Sequence, residues 1–286
     1  MPDTWIPKLP RERLAILPPA PPVDSPDLAD RVRGMLLGVA IGDALGNRSE
    51  GMSPDEREAE FGRITGYLPS KFANGRPAGT PSDDTQLTFR ALEQLLDDGA
   101  LDPDELAFRI ANERIFGISR ATRDFCNALR GGAPWWEATQ QSAGNGALMR
   151  IAPTVLPYLK DGGTQLWYDT VLSTAVTHND PMAQAASVAW VALLWRLLNG
   201  DLPDSPMEWL ETYSEVLRLM DDGQAYEARV EHGPLQHWRG SLSGFLDTQV
   251  RDALTRGVSV RDSGTLWNSG AYLLDTVPAV LHIVSA

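Results

Sequence analysis

Apolar residues recur at helical spacing along most of this chain. In RVRGMLLGVAIGDALG, residues 31–46, Val32, Met35, Leu36 and Val39 fall at i, i+3, i+4 and i+7, the stripe an amphipathic helix turns toward a core. Gly34, Gly38 and Gly42 recur every fourth residue there and predict a helix that a neighbour can approach closely. Leu87, Ala91, Leu92, Leu95 and Leu96 form the next stripe. In MAQAASVAWVALLWRLLN, residues 182–199, apolar side chains cover most of the circumference, which predicts a helix at the centre of the fold.

Helix boundaries are marked as clearly. Asp180-Pro181 opens the central helix and Gly200 closes it. Ser25-Pro26, Asp102-Pro103 and Ser205-Pro206 likewise set a capping side chain before a proline. Glu105 and Glu208 stand three residues beyond two of these caps, as a capping box requires. Short β-branched runs such as GVSV are too isolated to build a sheet, and no internal repeat is evident. The pattern predicts one all-α domain over residues 25–286. Residues 1–24 are dense in proline without a helical period, so they read as an extended arm docked by Trp5 and Leu14.

Composition narrows the function. The 286 residues are 43% hydrophobic and 22% charged, an ordinary globular mixture. A net charge of −13 argues against nucleic acid or an anionic membrane as partner, because no basic excess exists to release counterions. No apolar stretch is expected to be long enough to cross a bilayer, and the N-terminus lacks a basic-then-apolar export signal. A single cysteine, Cys126, reads as a buried small hydrophobe and fits a reducing cytoplasm.

Four stretches could carry chemistry. In GTPSDDTQLT, residues 79–88, Asp83 and Asp84 follow Ser82. They suit the first turn of a helix, where the dipole favours acids, and they equally suit a hard, all-oxygen cluster for Mg²⁺, Mn²⁺ or Ca²⁺. Asp43 and Glu50 lie in GVAIGDALGNRSEG, where Glu50 is either a solvated loop acid or a group that activates water. Gly144-Asn145-Gly146 is either a tight turn or a backbone cradle for a pyrophosphate. His178 links two helices, with no second histidine or cysteine at zinc-ligand spacing. Neither Gly-x-Ser-x-Gly nor a P-loop occurs.

Taken in order, RGMLLGVAIGDALG, PSDDTQLT, GNGALMRIAP and THNDPMAQAASVAW resemble the ADP-ribosylglycohydrolase family, and NSGAYLLDTVPAVLHIV is similar to its late helix. The likeness is close over residues 31–198 and looser over 264–284. It implies an orthogonal all-α bundle with a binuclear Mg²⁺ (or Mn²⁺) site that cleaves the bond between ADP-ribose and a protein side chain. By resemblance, Ser82, Asp83 and Asp84 are metal ligands, and Glu50 and Asp84 do catalytic work. Asp43, Ser142, Gly144, Asn145, Gly146 and His178 contact substrate, and the implied partner is ADP-ribose or an ADP-ribosylated protein.

One family element is missing. An Asp-x-Asp-Thr segment beyond the late helix supplies the other metal ligands in the family, and neither Asp247-Thr248 nor Asp275-Thr276 has the second acid at that spacing. The expectation is a chain cut short from a competent ancestor. The alternatives are a segment supplied by another polypeptide and a natural binding-only homologue. The final helix, with Leu273, Leu274, Val277, Val280, Leu281 and Ile283, is then expected to show an exposed apolar face suited to homo-oligomer contact.

Overall fold

The structure is a computed structural model that describes residues 9–230, 235–268 and 270–285. Helices dominate: α1 Arg11–Leu14, α2 Leu28–Gly46, α3 Pro54–Phe61, α4 Asp83–Asp98, α5 Pro103–Asn112, α6 Arg120–Arg130 and α7 Trp135–Ala138. They continue as α8 Gln165–Thr177, α9 Pro181–Leu198, α10 Pro206–Met220, α11 Leu242–Phe245, α12 Arg251–Arg256, α13 Val260–Trp267 and α14 Leu273–Ser285. Strands β1 Tyr226–Glu227 and β2 Arg239–Gly240 pair antiparallel, with Tyr226 opposite Gly240. The all-α expectation holds.

α9 is the central helix, packed between α8 and α10 with Ala186, Val188, Ala189, Val191 and Leu193 fully buried. It is long and apolar enough to cross a membrane by length and composition, which corrects the expectation that no such stretch exists, but two-thirds of it lies inside the fold. A second apolar cluster, built on Leu87, Leu106, Ile110, Phe125 and Trp135, joins α4 to α7. α8 serves both, giving Val171 to the α9 cluster and Ala175 and Val176 to the other.

Capping follows the sequence at three of the four proline sites. Asp102 accepts from the Asp104 and Glu105 amides, Asp180 from Met182 and Ala183, and Ser205 from Glu208. The boxes are only half closed: Glu105 pairs with Arg109, and Glu208 turns to the Asp204 amide. Ser25-Pro26 does not open α2. The Ser25 carbonyl closes a turn with the Leu28 amide, and the helix starts two residues late without a side-chain cap. A full capping box sits instead at Ser53-Pro54, with Glu56.

The arm docks as expected, though not wholly extended, because α1 forms one helical turn within it. Leu14, Leu17 and Ala20 are buried. Proline-rich backbone has free carbonyls, and the Trp167 and Trp195 indoles donate to those of Pro18 (2.8 Å) and Pro21 (2.9 Å). Ala20 also pairs with Gly163. A Cβ on Gly162 would stand 2.0 Å from the Ala20 carbonyl oxygen, so the docked arm requires glycine there. Trp5 lies outside the described residues.

Three expectations about apolar surface are corrected. α14 buries Leu273, Leu274, Val277 and Leu281 against α10 and α13, leaving only Ile283 and Val284 well exposed. Leu96 is 70% exposed, whereas Leu95 beside it is buried, so the stripe turns only part of its width to the core. Gly34, Gly38 and Gly42 have nothing within 4 Å of an added Cβ, so no described residue packs closely on α2 at those three positions. Replacing Gly38 in mid-helix with alanine is therefore expected to raise unfolding free energy by about 0.5–1 kcal/mol through backbone entropy. Urea titration checks this, and a lowered midpoint would place a neighbour on that face.

Candidate functional site

The site begins where α2 meets α4. Ser82 occupies the N-cap position of α4 but does not cap it with its own side chain. Asp43, from the last turn of α2, does so from another element. Its carboxylate accepts the Ser82 amide (2.8 Å), the Thr85 amide (3.1 Å), the Ser82 hydroxyl (2.6 Å) and the Thr85 hydroxyl (2.6 Å). A carboxylate is favoured at this spot because the first-turn amides have no intrahelical partner and the helix dipole is positive there. Asn47 donates to the same Asp43 and to the Thr80 carbonyl, which ties the approach to α4 onto the end of α2.

This cap sets the directions of the next two acids. Asp84 approaches the Ser82 hydroxyl at 3.3 Å and lines a cavity of about 600 Å³, together with Asp43 and Asn145. Asp83 turns away from that cavity. It is buried beside Gly117, where an added Cβ would fall 2.9 Å from its carboxylate and 3.2 Å from the Phe72 ring. Gly117 has φ +89°, so both its backbone and the acid beside it require glycine.

Burial raises the Asp83 pKa to about 7, with the Asp84 charge adding to the effect and Glu50 and Asp43 contributing less. Asp84 rises to about 6, again chiefly through burial, then through Asp43 and Glu50. Glu50 is exposed as a residue, yet partial burial of its carboxyl raises it too, opposed by Lys71 and assisted by Asp43. Four acids from two segments thus share one field, and no basic side chain forms an ion pair with Asp83 or Asp84 among the described residues.

The glycine loop lies on the same side of the molecule. Thr88, one turn beyond Asp84, donates to the Asp84 carbonyl (2.6 Å) and approaches the Met149 carbonyl (3.3 Å) just past the loop. Asn145 reaches the cavity, while its amide donates to the Ala271 carbonyl at 2.8 Å. Ser142, Gly144, Gly146 and His178 stand behind Asn145 and do not line the cavity. The Ser142 hydroxyl accepts the Gly144 amide (3.3 Å), and a Cβ on Gly146 would stand 2.8 Å from the His178 ring. Away from the acids the cavity is walled by apolar residues of α2, α9 and α14, such as Met35, Leu194 and Val280. A charged ligand group therefore belongs at the Asp84–Asn145 end.

The donors suit a hard cation in kind, since Asp83, Asp84 and Ser82 offer only oxygen and the two acids carry surplus negative charge. They do not complete a shell. Among the described residues, no three His, Cys, Asp or Glu side chains converge as a ligand group.

An acid cluster facing a glycine loop across an all-α scaffold defines a class of small-ligand site, and the comparisons give that class its family. A model of the ADP-ribosylglycohydrolase family matches residues 24–286, so the chain belongs to that family. The ADP-ribosylarginine hydrolase Tri1 of Pseudomonas putida (strain GB-1) is 32% identical over 183 residues, 60% of this chain and 47% of the relative. The ADP-ribosyl-[dinitrogen reductase] glycohydrolase of Rhodospirillum rubrum is 28% identical over 181 residues, 61% of this chain and 60% of the relative. The chain thus spans about half to three-fifths of the length of these relatives. A solved ADP-ribosylglycohydrolase-related protein complex contains a similar fold, with a TM-score of 0.57 at 26% identity, over 91% of this chain and 87% of that one.

The raised acids have a consequence for stability. Their folded pKa values, about 7 and 6, exceed the unfolded value of roughly 3.9. The native state therefore keeps protons that the unfolded chain releases. The associated stability is full below about pH 4 and is lost as pH rises through 6 to 7. Wild type is expected to lose on the order of 1–3 kcal/mol more than Asp83→Asn/Asp84→Asn between pH 5 and pH 8. Urea titration at both pH values measures the difference. Parallel pH slopes would mean that the two carboxylates are well solvated.

Proposed function

We propose that the chain hydrolyses the glycosidic bond joining ADP-ribose to a protein side chain, with arginine the first acceptor to test. The observation that carries this reading is a pair of crowded, buried carboxylates, of which Asp84 lines the cavity together with Asn145, in a family whose members cleave ADP-ribose linkages. The name of the Pseudomonas relative supports arginine.

Ser82 and Asp84 would hold Mg²⁺ or Mn²⁺ at the cavity, joined by Asp83 once its carboxylate turns from Gly117, and the ion, when bound, supplies positive charge and polarises oxygen. The remaining roles belong to the chain itself. Asp43 orients Ser82 and fixes the start of α4. Asn145, held through its backbone by Ala271, places an amide side chain at the ligand end of the cavity. Asp84, which burial raises to about 6, takes the proton from the attacking water, and Glu50, also raised by burial, is the carboxylate in the same field that relays it. Water oxygen then bonds to the anomeric carbon, the carbon–nitrogen bond breaks, and the side-chain nitrogen leaves with its proton restored.

A second reading, ADP-ribose binding without turnover, draws on the incomplete ligand group. One experiment separates the two. An ADP-ribosylarginine peptide incubated with the protein and Mg²⁺ is expected to release free ADP-ribose, and Asp84→Asn to slow release by about 100-fold or more. Calorimetric binding of ADP-ribose with no release would select the second reading. Neither binding nor release would overturn both.

A further inference from the structure

The segment that carries Glu50 is built as a small unit of its own. α3 opens with a complete capping box at Ser53 and Glu56, yet none of its side chains is buried. Arg48, near the start of the segment, reaches across to its far end. It pairs with Glu60 at 3.2 Å and lies over the Phe61 ring, 5.5 Å from its centre. Residues 48–61 are thus closed on themselves. Among the described residues, two side chains outside this unit bond to it. Lys71 donates to the Glu50 carbonyl, and Arg261 donates to Asp55 (2.7 Å) and to Glu58.

The two ties differ in what stands behind them. Lys71 is an exposed residue of the irregular chain between α3 and α4. Arg261 projects from α13, which the core holds in place: Ser263 and Trp267 are buried, and Trp267 meets His282 of α14 edge-on, with ring centroids 5.4 Å apart. Asp55 and Glu58 are three residues apart, so they share a face of α3 and meet a single guanidinium. Exposed ion pairs contribute little to global stability. They decide local position where no buried side chain does so, and α3 has none. This helix also carries four acids and one arginine. Without Arg261 that charge is repelled by an acid cluster close enough for Asp43 to act on the Glu50 carboxyl.

We propose that Arg261 is a positioning residue: by holding Asp55 and Glu58 it fastens α3 to α13 and keeps the Glu50 segment beside the acid cluster. The consequence for hydrolysis rests on the function proposed above; the fastening does not.

Hydrogen exchange of the full-length protein, read by mass spectrometry, tests the fastening without substrate. Amides of residues 50–61 are expected to exchange about three- to tenfold faster in Arg261→Met than in wild type, with those of α4 and α9 unchanged. Wild type should approach the variant in 1 M NaCl, where the screening length falls to about 3 Å, and the variant should respond little to salt. Arg261→Lys is expected to keep most of the protection, and Glu58→Arg/Arg261→Glu to restore part of it. With an ADP-ribosylarginine peptide, Arg261→Met should lower kcat by a similar factor, about three- to tenfold, and leave KM nearly unchanged. Exchange unaltered by both Arg261→Met and salt would overturn the fastening. Faster exchange with an unchanged kcat would overturn the placement of Glu50 by Arg261. A wild type that releases no ADP-ribose would overturn the proposed hydrolysis instead, and the exchange data alone would then decide whether Arg261 holds α3.

Discussion

The carboxylate of Asp43 holds the site together. It caps α4 from the end of α2, taking two backbone amides and two hydroxyls of the segment that carries Ser82, Asp83 and Asp84. Without it, the first turn of α4 would have unpaired amides and no fixed approach angle. With it, the direction of every acid in that turn is set: Asp84 toward the cavity and Asn145, Asp83 toward Gly117 and Phe72. The family resemblance casts Asp43 as a substrate contact. Its carboxylate is already engaged in this structure, so its first role is to position the residues around it.

The second constraint is charge. Four acids gather in one field with no arginine or lysine paired to the two innermost, and burial leaves those two near their titration points at neutral pH. An acidic protein can still accept a phosphate-bearing ligand if that local charge is offset. A divalent cation held by the oxygens of the acid cluster, with the Asn145 side chain beside it, is the means the surrounding residues allow. It works locally and leaves the net charge of −13 untouched elsewhere.

Local signals made much of the fold legible in the sequence. α9 could be read because its apolar residues run all round it, and α5, α9 and α10 because Asp102, Asp180 and Ser205 precede prolines. Misreadings came from partners distant in the chain. α14 resembled an orphan face because α10 and α13, which cover it, share no local pattern with it. Ser25-Pro26 looked like Ser205-Pro206, but its carbonyl was already committed to a turn. In the site, the residue types at positions 43, 50, 82–84, 145 and 178 could be read. The division of labour between them could not: Asp43 meets its partners 39–42 positions away, and Asp83 diverges from Asp84 only because consecutive helix residues point in different directions. Gly117 carried no motif of its own and was visible only once packed against Asp83.

The central claim is that Asp83 and Asp84 hold protons which a hard cation would displace. Titrating Mn²⁺ into the protein near pH 6.5 while recording proton release tests it most directly. The account predicts saturable binding with up to about one proton released per ion, and loss of both signals in Asp83→Asn/Asp84→Asn. Absence of binding, or binding without proton release, would contradict it.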